Sequence, residues 1–457
     1  MGRVSRENIK KTVYYLKRNG VRNTWYAAKE RMEQAKAEPY RYEAPAEQEL
    51  ERQRRESASY RTVISIVVPA YHPVPAYLCE LIDSVLAQTY PHWELVLADV
   101  SSDDTVERVT EAYSDERIRY IPLKENAGIA ENTNRALAYA TGDYVGLLDH
   151  DDVLTQDALY EMAAAIRQGE LSGVSLKMLY SDEDKCNGDG TEYYEPNFKE
   201  KFNLDLLLSN NYICHFLVME RSLLSELKLR ADYDGAQDYD LVLRAVERLM
   251  DREEQLGHVP RVLYHWRCHT GSTAENPRSK QYAYEAGCRA LQDFADRQGW
   301  HARAEHLRHL GFYRLSYLPK REALKESAVF QSRRDIGAVG GRVMRKGRII
   351  GGGMTEEGSC PYEGLPAAYS GYLHRAALTQ DVEALDIRCI RVRKECVPLF
   401  EEITGVSYKE SEALQVFDTS LLPRGTDYRE MSLRFGKALC EAGYRMLYQP
   451  ELTVKWR

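Results

Sequence analysis

Residues 144–148 (YVGLL) run straight into four polar residues: Asp149, His150, Asp151 and Asp152. A short apolar run opened by Gly142 predicts a strand buried on both faces, as in parallel sheets. Open α/β sheets bind ligands outside the carboxyl ends of such strands, which is where this cluster falls. The spacing lets Asp149 and Asp151 serve one hard cation. A divalent cation held by one or two carboxylates commonly completes its shell with substrate phosphates. The competing reading is helix capping, because a helix is expected over 157–166. Thr155 is available for that task, so capping leaves three acids unexplained. The cluster points to a phosphate–metal site.

With 457 residues the chain has room for two or three domains. No apolar run approaches the 18 or so residues of a membrane span, and the N-terminus lacks a signal-peptide core. Nine scattered cysteines without a Cys-x-x-Cys pair argue against a disulfide framework or zinc cluster and suit a reducing cytoplasm. The net charge of −8 is uneven: residues 1–36 carry +7, leaving −15 for the rest. An acidic body is a poor nucleic-acid binder. The basic end is interleaved with Tyr14, Tyr15, Leu16, Trp25 and Tyr26. That pattern suits an anionic membrane surface on the inner face of the plasma membrane, or a solvated helix packed on the body. Gly20 divides it into two short helices.

Residues 38–60 read as linker and charged helix, giving a helical N-terminal extension over 1–60. A second region, 61–300, opens with a buried strand at 63–68. The helix after it has apolar positions Leu78, Leu81, Ile82, Val85 and Leu86, one face at period 3.6, with Pro75 in its first turn. Strands follow at 94–98 and 118–121, a helix at 128–140, and then the strand before Asp149. This order implies a doubly wound α/β sheet with parallel strands. Asp99 and Asp149 then sit at the carboxyl ends of two strands of one sheet, as in a mononucleotide site. A dinucleotide fold needs G-x-G-x-x-G after the first strand, and that place holds Pro69, Ala70, Tyr71, His72 and Pro73. No P-loop is present.

The stretches 64–71 (ISIVVPAY), 97–103 (LADVSSD), 126–129 (NAGI) with Asn132 and Asn134, and 148–153 (LDHDDV) resemble the successive motifs of family-2 glycosyltransferases. The resemblance runs from about Thr62 to Gly299. It implies the A-type glycosyltransferase fold, a Rossmann-like doubly wound mixed sheet, and a nucleotide-sugar donor, UDP- or dTDP-linked ahead of GDP-linked. It assigns Pro69, Ala70, Tyr71, Asp99, Asn126, Gly128, Asn134, Asp149 and His150 to the donor. Asp149 and Asp151 fall to Mn²⁺ or Mg²⁺. Ala98 stands where many relatives have a second acid, but Asp99 keeps the acid matched to the base.

Beyond the metal motif the domain is expected to turn to the acceptor. Asp182 and Asp184, in YSDEDK, are acceptor-side candidates or part of a solvated loop. His215 follows in NNYICH, where a lone histidine is more often structural. Asp238 opens a helix and is either its N-cap or, by resemblance, the base that takes a proton from the acceptor hydroxyl. His265 is a third metal ligand or, with Arg267, faces the diphosphate. Trp266 stacks on an acceptor sugar or fills core. Residues 271–274 (GSTA) and a helix at 279–299 close the domain.

Residues 301–457 read as a smaller C-terminal α/β domain resembling the acceptor half of a second, truncated glycosyltransferase domain. Stretches 336–341, 348–353, 387–394, 433–434 and 441–448 carry the echo. There is no room between 317 and 336 for a donor half, so this copy is expected to bind no nucleotide. The leading reading is a metal-dependent inverting glycosyltransferase acting on a growing surface glycan or lipid-linked acceptor in a bacterium. A nucleotidylyltransferase would need a glycine-rich basic loop after the first strand, which is absent. A non-catalytic scaffold of a polysaccharide-assembly complex is the other rival.

Overall fold

The computed structural model describes residues 40–269, 281–319, 327–409, 414–423 and 425–456, with short stretches between 13 and 28. The two-helix expectation for the basic N-terminus lies largely outside the described residues, as does the 271–274 motif. Among the described residues no helix is long and apolar enough to cross a membrane.

Helix α1 (Glu47–Ser57) is the charged helix of the extension, with Arg52 paired to Glu49 and Glu56 one turn away on either side. The parallel part of the sheet follows. It contains β1 (Ile64–Ala70), α2 (Pro75–Leu86), β2 (Trp93–Asp99), α3 (Thr105–Glu111), β3 (Ile118–Pro122), α4 (Ile129–Leu137) and β4 (Tyr144–Leu147). In α2 the expected face is the buried one: Leu78, Leu81, Ile82 and Val85 are fully enclosed, each side chain contributing roughly 1.5–3 kcal/mol. Strands lie in the order β3-β2-β1-β4, all parallel. The chain leaves β1 toward β2 on one side and returns to β4 on the other, so a switch point lies at the carboxyl ends of β1 and β4.

The second half of the sheet is mixed. It comprises β5 (Val153–Leu154), α5 (Ala158–Leu171), β6 (Met178–Asn187), β7 (Tyr193–Asn197), α6 (Leu204–Leu207), β8 (Leu217–Glu220), α7 (Arg221–Leu227), α8 (Gln237–Leu249) and β9 (Leu256–Cys268). The order continues β4-β8-β6-β9-β5, with β7 paired to β6. Strand β8 runs antiparallel to both β4 and β6, while β9 runs parallel to β6. Separate apolar clusters line the two faces of this sheet. Helix α9 (Gln281–Arg297) and the hairpin β10 (Ala302–His306) with β11 (Tyr313–Tyr317) complete this body.

The C-terminal region follows α10 (Ala328–Ser332). It contains β12 (Ile336–Arg345), β13 (Arg348–Gly351), β14 (Gly353–Met354), β15 (Gln380–Val382), β16 (Ala384–Leu385), β17 (Ile390–Val392), α11 (Val397–Thr404), α12 (Tyr428–Glu441) and β18 (Arg445–Lys455). Its central strands follow the order of β6–β9. Strand β6 forms a hairpin with β7, pairs antiparallel with β8, and is reached again through α7 and α8 by the parallel β9. Strand β12 does the same with β13, β17, α11, α12 and β18. Nothing in this region corresponds to β1–β4 among the described residues.

The two bodies are joined through buried charge. Arg333 is fully enclosed and grips Asp205 with two bonds of 2.9 Å. A buried pair of this kind adds little net stability, yet losing one partner costs about 3–5 kcal/mol because the other is stranded. Close by, His374 stacks on His309 at 3.6 Å between ring centroids and meets the edge of Phe312. Burial, with His309 adding to it, holds the His374 imidazole down at about 3. An unfolded histidine titrates near 6.5, so the unfolded chain binds the extra proton first. Stability at this seam is therefore fully present above pH ~6.5 and is lost as pH falls toward about 3. Thermal unfolding between pH 7 and 5 should show a falling midpoint, and His374→Phe should flatten that fall.

Candidate active site

Beyond the carboxyl ends of β1, β2 and β4, the predicted acids gather at one edge of the sheet. Asp99 ends β2. Its Oδ1 accepts from the Ser101 amide at 2.8 Å and its Oδ2 from the Tyr120 hydroxyl at 3.3 Å, leaving it nearly buried. Ala70 ends β1, and its carbonyl accepts from the Val100 amide. After half-buried Pro69 and buried Ala70, Tyr71 stands exposed with its ring against His72. Asn126 folds the loop before α4: its Oδ1 accepts from the Gly128 amide and from Asn132 Nδ2. Gly128 has φ +90°, and a Cβ there would lie 2.3 Å from the Asp234 carboxylate that accepts from the Ala130 amide. Only glycine allows that approach.

The turn after β4 is built in two layers. Asp152 is its buried anchor, accepting from the Tyr264 hydroxyl and, at 2.7 Å, from the Arg267 amide. Desolvation, then Asp151 and Asp149, push its carboxyl well above the usual range. Asp149 stays open to solvent at the cleft floor, yet the surrounding protein still desolvates it. Its carboxyl is pushed up by that desolvation and further by Asp151 and Asp238, while His215 and His150 pull it the other way. Those neighbours define the cleft. Asp151 points its Oδ2 to His269 Nε2 at 3.0 Å. His150 Nδ1 is buried without a hydrogen-bond partner among the described residues.

Asp238 is the second residue of α8, not its cap; Ala236 holds that position and makes no side-chain cap. Capping therefore does not account for Asp238. Its Oδ2 accepts from Asn211 Nδ2 at 2.8 Å. Asp240, two residues on and so on the other side of the helix, is buried and bound by Arg230 and Arg244, a structural role.

Several expected site residues prove to be struts. Asn134 uses both ends of its amide on the Leu229 backbone, which fixes it as a tie between α4 and the segment after α7. Asp182 is buried and accepts from the Lys199 amide and His258. Asp184 is buried between Tyr40 and His265. Neither acid presents a free carboxylate to an acceptor. His265 gives its Nδ1 to Asp184 and is enclosed by Tyr42 and Tyr193 rings at 4.5 and 4.3 Å. The histidine that stands beside Asp151 is His269, four residues on. Arg267 is fully buried: it holds the Asp151 carbonyl, the Gly188 carbonyl and Glu80, over the Tyr77 ring. It shapes the turn from behind. Trp266 stays half-exposed beside His215 and Lys185. Among the described residues no three His, Cys, Asp or Glu side chains close into a ready metal cage.

Two residues carry more than their sequence context indicated. Lys199 is buried and binds Glu183 at 3.3 Å together with the carbonyls of Ile213, Cys214 and His215. Burial alone would raise the Glu183 carboxyl; the Lys199 ammonium, with His215 and Asn197, overrides it and holds it at about 2. Asn211 is the other, through its bond to Asp238. No periodicity or spacing marks either one.

Residues 65–228 match the family described as Glycosyl transferase family 2. This stretch is a family-2 glycosyltransferase domain. It spans β1 through α7 and includes the Asp99 and Asp149–Asp152 ends. The chain is 44% identical over 235 residues to the uncharacterized protein y4gI of Sinorhizobium fredii, covering 50% of this chain and 25% of that one. It is 36% identical over 245 residues to the O-antigen biosynthesis protein RfbC of Myxococcus xanthus, covering 53% and 18%. It is 30% identical over 169 residues to the Escherichia coli UDP-Glc:alpha-D-GlcNAc-diphosphoundecaprenol beta-1,3-glucosyltransferase WfgD, covering 36% and 62%. The chain thus spans a quarter or less of the first two relatives.

Lys199 gives this domain a direct stability test. Lys199→Met strands Glu183 and three carbonyls, and should cost about 3–5 kcal/mol in denaturant unfolding. The surface substitution Lys437→Met should fall within about 0.5 kcal/mol.

Proposed function

We propose that this protein is a metal-dependent, inverting glycosyltransferase that moves a sugar from a nucleotide-sugar donor to a hydroxyl of a surface glycan or lipid-linked acceptor. The carrying observation is the convergence of Asp149, Asp151 and Asp238 in one cleft at the switch point of the sheet. The names of the relatives support the acceptor class: one belongs to O-antigen biosynthesis and another uses UDP-glucose on a diphosphoundecaprenol-linked sugar. By the same reading the C-terminal region is a truncated second copy without a donor half. The basic N-terminus would touch the inner face of the plasma membrane.

The residues fit a divalent cation. Asp151 and Asp238 crowd the desolvated Asp149 carboxyl and push it up, so negative charge is concentrated where a cation would relieve it, and His269 adds a nitrogen donor beside Asp151. Asp149, Asp151 and His269 would hold Mn²⁺ or Mg²⁺. Bound there, the ion supplies charge neutralisation for the departing nucleoside diphosphate. Asp99 and Tyr71 meet the nucleoside at the carboxyl ends of β2 and β1. Asp238 takes the proton of the acceptor hydroxyl as its oxygen forms a bond to the anomeric carbon. The bond from that carbon to the diphosphate oxygen breaks with its electron pair on the diphosphate, so attack from the opposite face inverts the centre.

The test begins with UDP-, dTDP- and GDP-sugars, with and without Mn²⁺, read by thermal shift. A ligand at 100 times its Kd stabilises by about 2.7 kcal/mol. Asp238→Asn should lose transfer by about 10²–10⁴-fold while nucleotide affinity holds. Asp151→Ala and His269→Ala should weaken the response to metal. Unchanged turnover in Asp238→Asn removes it as the base, and no shift with any nucleotide removes the glycosyltransferase reading.

A further inference from the structure

The segment 203–212 is a compact turn with two faces. Asn203 caps α6, its Oδ1 accepting from the Leu206 amide, and its own amide donates to the Tyr212 hydroxyl. The segment's inner face meets α8: Asn211 Nδ2 donates to Asp238, and the Leu207 carbonyl accepts from the Tyr239 hydroxyl at 2.6 Å. Its outer face is bound by the C-terminal region. Asn203 exchanges two bonds with the Asp381 backbone, at 3.0 and 3.1 Å. The Asp205 amide donates to Asp381 Oδ2 at 3.1 Å, and the Asp205 carboxylate sits in the Arg333 fork. Ser209 Oγ donates to the Thr379 carbonyl at 2.8 Å. Leu378 joins the apolar cluster that holds Leu204, Leu206, Leu207 and Tyr239.

From this we infer that the C-terminal region is a positioning element for the catalytic base: through Arg333, Thr379 and Asp381 it fixes 203–212, and through Asn211 it fixes the carboxylate of Asp238. The inference rests on Asp238 as the base. A short turn with one helical turn of its own cannot hold a side chain unaided, since a nucleus of helix is unfavourable in isolation. Its order comes from partners, and on the side away from α8 these are the Tyr313 amide on the Ser209 carbonyl, Glu200 beside Asn203, and the C-terminal groups named above. Arg333, fully buried, has no open space in which to meet a ligand. With Nδ2 on Asp238, the Asn211 Oδ1 is buried without a hydrogen-bond partner among the described residues.

The test compares Asp238→Asn, Asn211→Ala, Arg333→Lys, Ser209→Ala and the double variant Asn211→Ala/Arg333→Lys. The assay is nucleoside diphosphate release from a panel of UDP-, dTDP- and GDP-sugars with Mn²⁺. Amide hydrogen exchange over 206–212 and nucleotide affinity are followed in the same proteins. Arg333→Lys keeps the charge and loses the fork. It should lower kcat, speed exchange over 206–212, and leave the donor KM unchanged. Displacing a catalytic group by an ångström can cost on the order of 10²-fold. The double variant should be no worse than Asn211→Ala, because both losses act through Asp238. If Arg333→Lys does not fold, Ser209→Ala gives the same signature at smaller size. Wild-type kcat in folded Arg333→Lys and Ser209→Ala, with Asp238→Asn inactive, overturns this inference alone. Losses that multiply in the double variant also overturn it. Turnover by Asp238→Asn, or no release by the wild-type protein, overturns the base reading and this inference with it.

Discussion

A reciprocal tie between the turn after β4 and strand β9 holds the candidate site in place. Asp152 accepts from Tyr264 and from the Arg267 amide, and Arg267 returns a bond to the Asp151 carbonyl. More than a hundred residues separate the two sides. The tie is needed because the turn concentrates negative charge. Desolvation raises the cost of ionising both Asp149 and Asp152, and Asp151 raises it further. A free loop would relax by moving them apart. Burying Asp152 beneath hydrogen bonds leaves Asp149 and Asp151 facing the cleft.

The same economy governs the acceptor side. Asp182, Asp184 and His265 face inward and join strands β6 and β9 to the Tyr40–Tyr42 segment of the extension. The extension is thus part of the catalytic body from Tyr40 onward. The C-terminal region repeats the order of β6–β9 without strands like β1–β4 among the described residues, and its contacts with 203–212 run through buried charge. Such pairs are poor sources of net stability, but they fix orientation, because any misplacement strands a charge.

The main elements of the fold were legible in the sequence. Apolar runs and period-3.6 faces marked β1–β4, α2 and α4, and the distance between 317 and 336 excluded a second donor half. The places of Asp99, Asp149 and Asp151 at strand ends and of Asp238 at a helix start were legible from the same periodicity. His265 was legible as a candidate ligand in the sequence, and His269 was passed over. His265 lies within β9, where Asp184 of the paired β6 takes it, whereas His269 comes one residue after that strand and reaches Asp151. Asn134 looked like a donor contact because a motif does not say that Leu229 will take both ends of its amide.

Taken by itself, the sequence determined what local chemistry can determine: a buried strand ending in carboxylates, a doubly wound opening, and an acid in the first turn of α8. Those follow from hydrophobic periodicity and from the few positions where ionised groups are tolerated. Tertiary structure decided which of the charged residues face the cleft and which are consumed as struts. Lys199, Arg267 and Arg333 are each fully enclosed, and no local pattern distinguishes them from surface cations. Burial of a charge depends on partners brought from distant parts of the chain. It is therefore a property of the folded arrangement, and the roles of Asn211 and the C-terminal region follow from it.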